Sequence, residues 1–298
     1  AAVLLVVQFV FMIPDIIYVL ENTGFDPSWR YFLNVVNGTD LKFGRDIYFT
    51  YGPLGYLFYL MKLPGNTIEY WSGIVIWGII FLFHLWMLLQ LYRLYQKGKI
   101  HFWAITASVC CYLAGYYAPT RDNYLLYLMI LAVVLWAKGA KNIVLIPNLL
   151  LLLMFFGKFS TFTSGFAFCI LFCIFDVLFR KNWKSIWLFL PGIILMPVCY
   201  LVYCPSIKNL FEYVAGILKI SSGWMLTMQF DSVLQPSEVR WLIILIACYV
   251  LLIIGNLWSN YKSSAAIIAS CASMFFLYKY ATTRHGLKVG IWLFAMLF

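Results

Sequence analysis

The sequence predicts an all-α, polytopic membrane protein, and three observations predict it. Hydrophobic residues make up 64% of the 298 residues and charged residues 11%, against roughly half and roughly a quarter in soluble domains. The apolar residues stand in continuous runs, several near the roughly 20 residues that carry a helix across a bilayer. Between the runs, short basic breaks alternate with longer breaks of mixed charge. Lipid offers no partners to backbone amides, so a spanning segment is a helix or part of a closed barrel. Barrel strands alternate polar and apolar residues. These runs do not alternate, which leaves helices.

Taken in order, spans are expected at 1–20, 69–92, 101–118, 123–137, 142–156, 162–179, 185–203, 240–257 and 263–280, with a tenth opening near 288. The runs 123–137 and 142–156 are short for a span and are expected to stand upright or sit deep. The basic breaks hold Arg93, Lys97 and Lys99; Lys138 and Lys141; Arg180, Lys181 and Lys184; and Lys262. The positive-inside rule makes them cytoplasmic. The N-terminus is then inside, and breaks 21–68, 119–122, 157–161, 204–239 and 281–287 face outward. In the first outer loop, segment 27–36 has helical apolar spacing and is expected to lie flat at the interface. Segment 53–63 reads as a second interfacial helix opened by Pro53, and 207–220 as a third amphipathic helix. No soluble domain or tandem repeat is evident, so residues 1–298 form one transmembrane domain. The chain opens on AAVLL and stops within the apolar run GIWLFAMLF, and so reads as a fragment with an incomplete C-terminus.

The net charge of +10 comes from basic residues scattered through short loops. It orients a membrane protein and does not point to nucleic acid. The eight cysteines show no CxxC pair or metal-ligand spacing and read mostly as small hydrophobes. No disulfide is assigned.

The loop ENTGFDPSWRYFLNVVNGTDLKFGRDIYFTYGPLGYLFY, from Glu21 to Tyr59, gathers acids, bases, glycines and aromatics. Asp26 precedes Pro27, which suits a helix cap; a carboxylate so held at the membrane edge is also a candidate general base. Asp46 either pairs locally with Arg45 or is a second acid facing a cavity. Glu21 is a weaker candidate, as an acid at the end of a span; Asp15, inside the first span after Pro14, is either a functional acid or one that reaches water at the outer end. TYGPLG is a turn built on Gly52, Pro53 and Gly55. Lys158, in FFGKFSTFTSG, is a lone cation on the outer side; the plain reading is a snorkelling lysine, the functional one a contact for an anionic headgroup. Arg121 with Asp122 reads as a self-paired break or as a further cation. Arg284 and His285, with Lys279 and Lys288, form the densest outer cation cluster, and an Arg fork suits phosphate oxygens. His285 is either an acid/base group or phosphate contact, or a polar loop residue. The tyrosines and tryptophans belong mostly to the interfacial belt, although Trp29 and Tyr51 can stack on a sugar ring. Asn37-Gly38-Thr39 matches a glycosylation sequon.

These features resemble the GT-C superfamily of integral-membrane glycosyltransferases, in particular its mannosyl and aminoarabinose transferase branch. In that superfamily an acid follows the first span in a long outer loop with two interfacial helices, the place taken by Asp26 in GFDPSWRYFLN. YGPLGYL is similar to the family's proline-leucine turn, and GKFS around Lys158 to its lysine in a short outer break. FGRDIYFTYGPLG also resembles a set of bacterial membrane proteins carrying a late Arg-His-Asp motif; here Arg284-His285 is followed by Gly286, so that match is partial.

The resemblance implies a polyprenyl-phosphate-linked sugar as donor and an active site on the outer face of a bacterial inner membrane. Asp26 would deprotonate an acceptor hydroxyl, which attacks the anomeric carbon with inversion. Lys158, Arg284 and Arg121 would bind the lipid phosphate, with Asp46 in reserve as a second acid. No cofactor is expected, and a divalent metal is not indicated. Two alternatives stay open: a transporter or flippase of lipid-linked sugars, which predicts charges buried in mid-span and internal repeats, and an O-antigen polymerase or ligase type of enzyme.

Overall fold

A computed structural model describes residues 25–100, 102, 105, 108, 109 and 121–228. These residues are helical or in turns, with isolated bridges and no named strand among them. The spans expected at 1–20, 101–118, 240–257, 263–280 and near 288 lie wholly or mostly outside the described residues.

Helix α1, Phe25–Val35, opens the described chain. It is followed by a 3-10 turn, Val36–Gly38, a looping stretch and a second 3-10 turn, Gly55–Tyr59. Helix α2 then runs over Thr67–Gln96, α3 over Arg121–Ala137, α4 over Leu145–Gly157 and α5 over Phe159–Arg180. After a 3-10 turn at Trp183–Leu188, α6 covers Leu190–Tyr203 and α7 Ile207–Met228. Three stretches are long and apolar enough to cross a membrane: Thr67–Gln96, Phe159–Arg180 and Trp183–Tyr203. Tyr124–Ala137 and Asn142–Gly157 are shorter apolar helices.

Two expectations need correction. Segment 53–63 is not an interfacial helix: its helical part is the five-residue turn Gly55–Tyr59, whose Gly55, Tyr56, Leu57 and Phe58 are buried. Pro53 sits in the preceding turn, where Gly55 N–H donates to Gly52 O at 2.8 Å, and the backbone before it is committed to bonds with α4. Asp26 does not precede its helix, because α1 already includes Phe25. Asp26 and Pro27 lie within the described helix.

Helix directions follow from side-chain pairs. His84 of α2 bonds Tyr124 near the start of α3, and Trp136 near the end of α3 meets Phe172 of α5. α2, α3 and α5 therefore run in one sense, and α4 and α6 return. Asn148 staples the returning pair. Its amide nitrogen donates to Val144 O at 2.8 Å and Trp187 O at 2.9 Å, and its oxygen accepts from Gly192 N at 2.7 Å. At the same end of the bundle Asp176, fully buried, meets the Arg180 guanidinium at 3.0 Å and the Asn182 amide at 2.8 Å. Exposed Ile194, Val198 and Val202 recur every four residues on α6, the stripe of a helix facing lipid. Trp183 and Trp187, both exposed, lie in the turn beside Lys184 and suit an interfacial belt.

Helix lengths set the shape of the site. α3 has 17 residues and α4 13, or ~25 Å and ~20 Å at 1.5 Å per residue, against a hydrocarbon core of roughly 30 Å. α2 has 30 residues, or ~45 Å. His84 is level with Tyr124, 17 residues from Thr67 and three from Arg121. α2 thus rises about 14 residues, or ~21 Å, past the start of α3. The segment 25–66 fills the step so created. Trp77 donates from Nε1 to Leu57 O at 2.8 Å, Tyr56 and Ser72 share a hydrogen bond of 3.0 Å, and Asn66 donates to Met61 O at 2.8 Å.

Candidate functional site: a buried lysine under a docked turn

α4 and α5 are separated by a single extended residue, Lys158, at φ −141° and ψ 111°. The TYGPLG turn docks on this break through its backbone. Gly52 N–H donates to Gly157 O at 3.0 Å, Leu54 N–H to Phe156 O at 2.8 Å, and Phe159 N–H to Thr50 O at 3.2 Å, with Tyr51 opposite Lys158 in an antiparallel bridge. Non-helical backbone at membrane depth needs such internal partners. The fit requires glycine at 52, where a Cβ would fall against the Tyr213 hydroxyl and the Phe156 carbonyl.

Lys158 is 5% exposed, and its ammonium lies 5.3 Å from the centre of the Tyr51 ring. Tyr51 stacks on Trp29 at 5.1 Å, and Trp29 meets Tyr59 edge-on at 4.8 Å. The Arg30 guanidinium lies 4.7 Å from the Tyr59 ring centre and 5.4 Å from that of Trp29. Two cations thus flank one aromatic stack, each over an electron-rich ring face that favours a positive charge. Trp29 and Tyr51 are buried and stack on each other.

Asp26 is placed by its backbone, one turn before Trp29 and Arg30. Residues three and four apart share a helix face, so Asp26 belongs to the face that carries the aromatic stack. Arg121 is likewise placed by its backbone, as the first residue of α3. Gly165 of α5 packs toward Met154 of α4 and Leu126 of α3. Leu126 lies five residues from Arg121 and Gly165 seven from Lys158, so the backbones of Arg121 and Lys158 stand at one depth, within ~3 Å along the bundle. Arg284 and His285 lie outside the described residues.

Asp46 belongs to a separate turn. Its carboxylate accepts from Arg45 Nε at 2.8 Å and Lys42 N at 2.9 Å, with the second Arg45 nitrogen at 2.7 Å. The Arg45 bond first, then the Lys42 amide, hold its carboxyl below the ordinary carboxylate range. The local pairing with Arg45 is therefore present, and Asp46 works as the latch of its own turn. That turn is clamped to α6: Tyr200 donates to Phe43 O at 2.6 Å, and Phe43 N donates to the Tyr203 hydroxyl at 3.2 Å. The sequon residue Asn37 has its side-chain nitrogen on Pro53 O at 2.9 Å.

Two features escaped the sequence reading. Arg30 joins the site because it falls one turn after Asp26, a spacing visible in DPSWR. The second is a cluster inside the bundle: His84 bonds Tyr124 at 2.7 Å and lies 3.5 Å from Ser108 Oγ, which bonds Tyr127. A lone histidine in an apolar run was its only signal. Among the described residues no group of three or more His, Cys, Asp or Glu is placed to hold a metal ion. No protein-family model, curated protein or solved structure matches this chain.

Proposed function

We propose that the chain is a membrane glycosyltransferase of the GT-C type, moving a sugar from a polyprenyl-phosphate donor to an acceptor hydroxyl on the outer face of the membrane. It would span the bilayer nine or ten times with its N-terminus inside. The observation that carries the reading is Lys158, a buried cation at a one-residue helix break, covered by the TYGPLG turn. The two motifs behind the resemblance, YGPLGYL and GKFS, are thus in direct backbone contact.

In this reading the lysine ammonium offsets the charge that develops on the departing lipid phosphate, an electrostatic task suited to a preorganised, water-poor site. Arg121, at the same depth, shares the phosphate, and Arg284 adds to it. Asp26 takes the acceptor proton as the hydroxyl attacks the anomeric carbon and inverts it. The step runs without a divalent metal, and turnover abolished by a chelator would overturn that part.

The test compares lipid extracts by mass spectrometry from cells carrying the wild type, Asp26→Asn or Lys158→Ala. The expected result is accumulation of one polyprenyl-phosphate sugar in both variants. Unchanged lipids, with both variants inserted and folded, would refute the transferase. Transport of a lipid-linked sugar is the second reading, and one observation favours it: His84 and Asp176 are titratable and buried within helices, where ionisable groups mark pathways. Proteoliposomes separate the two readings, because transport moves the intact lipid-linked sugar between leaflets with no acceptor present.

A further inference from the structure

Past its first two turns, α3 is wholly apolar. After Tyr127 its remaining residues read LMILAVVLWA, all apolar. In lipid, apolar helix faces gain little by choosing one neighbour over another, and register falls to polar contacts. A slip of one residue moves every position by 1.5 Å and turns it by 100°. Among the described residues, the polar side-chain contacts between α3 and α2 gather in one cluster. His84 Nδ1 meets the Tyr124 hydroxyl at 2.7 Å, Nε2 faces Ser108 Oγ at 3.5 Å, and Ser108 bonds Tyr127. All four residues are buried. Tyr124 and Tyr127 are one turn apart, so the cluster grips two successive turns and defines both height and rotation.

We propose that His84 is a positioning residue which, through Tyr124 and through Ser108 and Tyr127, sets the register of α3 and so holds Arg121 at the depth of Lys158. Tyr124 lies a single turn past Arg121, and His84 lies two turns past Trp77, whose indole is bonded to the docked segment at Leu57 O. α2 thereby references α3 to the same loop that covers Lys158. The inference rests on the reading of Arg121 and Lys158 as phosphate contacts.

The full-length protein in nanodiscs tests it, with a polyprenyl phosphate and the matching uncharged polyprenol as two probes. His84→Phe removes the hydrogen bonds at similar volume, and Tyr124→Phe removes one of them from the other side. Each is expected to weaken the phosphate probe about tenfold, the scale of one lost contact to a charged group, while polyprenol binding stays at the wild-type level. His84→Gln, which keeps a donor and an acceptor, is expected to restore most of the loss. If His84→Phe does not fold, Tyr124→Phe decides. Equal weakening of both probes would reduce the cluster to a purely structural role and overturn the proposal. So would wild-type phosphate binding in His84→Phe and Tyr124→Phe while Lys158→Ala loses it, a result that leaves the phosphate site standing. Wild-type phosphate binding in Lys158→Ala would remove the site itself.

Discussion

At Gly52 a hydrogen atom is the largest side group the site tolerates. Gly52→Ala sets a methyl against the Tyr213 hydroxyl and the Phe156 carbonyl, and one of these is backbone that cannot rotate away. Overpacking of this kind costs about 1–3 kcal/mol, so the variant is expected to melt earlier in detergent and to expose residues 50–54 to proteolysis. Asp46 has a different signature. Its folded carboxyl titrates below its ordinary value of 3.8, so the turn's stabilisation is complete above that value and is lost as pH falls through the lower folded one. Proteolysis of residues 40–48 is expected to rise as the pH falls through the range below that ordinary value. Asp46→Asn is expected to cleave at its own level across that range and to leave sugar transfer intact at neutral pH. Gly44, in the same turn, has φ +89°, a left-handed angle that side chains resist.

Among elements, asparagines carry the joints. Asn34, fully buried, donates to Arg30 O at 2.9 Å and Tyr59 O at 2.7 Å and accepts from Met61 N at 3.0 Å. It ties α1 to the turn at Gly55–Tyr59, much as Asn148 ties α4 to α6. Asn34→Leu leaves the Met61 amide and the Tyr59 carbonyl without this partner, at about 1–3 kcal/mol for each buried group. Hydrogen exchange is expected to quicken at Met61 while α4 and α5 keep their protection. Such joints also mark the limit of what the sequence discloses. The spans at 69–92 and 162–179 were legible because twenty apolar residues have few other fates, and they match α2 and α5 within a few residues. α1 was legible from its amphipathic spacing. The segment 53–63 was not, since its shape comes from backbone bonds to residues about a hundred positions away, which no local pattern encodes. The nearness of Lys158 to Trp29 and Tyr51 escaped for the same reason: the sequence supplies the cation and the rings, and the docking supplies their adjacency.

For the whole molecule, the alternation of basic and mixed breaks predicts sidedness, which surface labelling tests. In a cysteine-free background, Asp40→Cys is expected to react with an impermeant maleimide from outside intact cells, and Lys97→Cys only after permeabilisation. Lys158→Cys is expected to react with neither treatment while the turn is docked. That turn also dictates an order of events during synthesis. Gly52 leaves the ribosome roughly a hundred residues before Gly157, its hydrogen-bond acceptor. At about 5–20 residues per second, the amides of Gly52 and Leu54 wait several seconds for carbonyls not yet made. Until α4 has been inserted, the first loop has nothing to close against, so the covered lysine is the product of the chain's later half reaching back to complete its first.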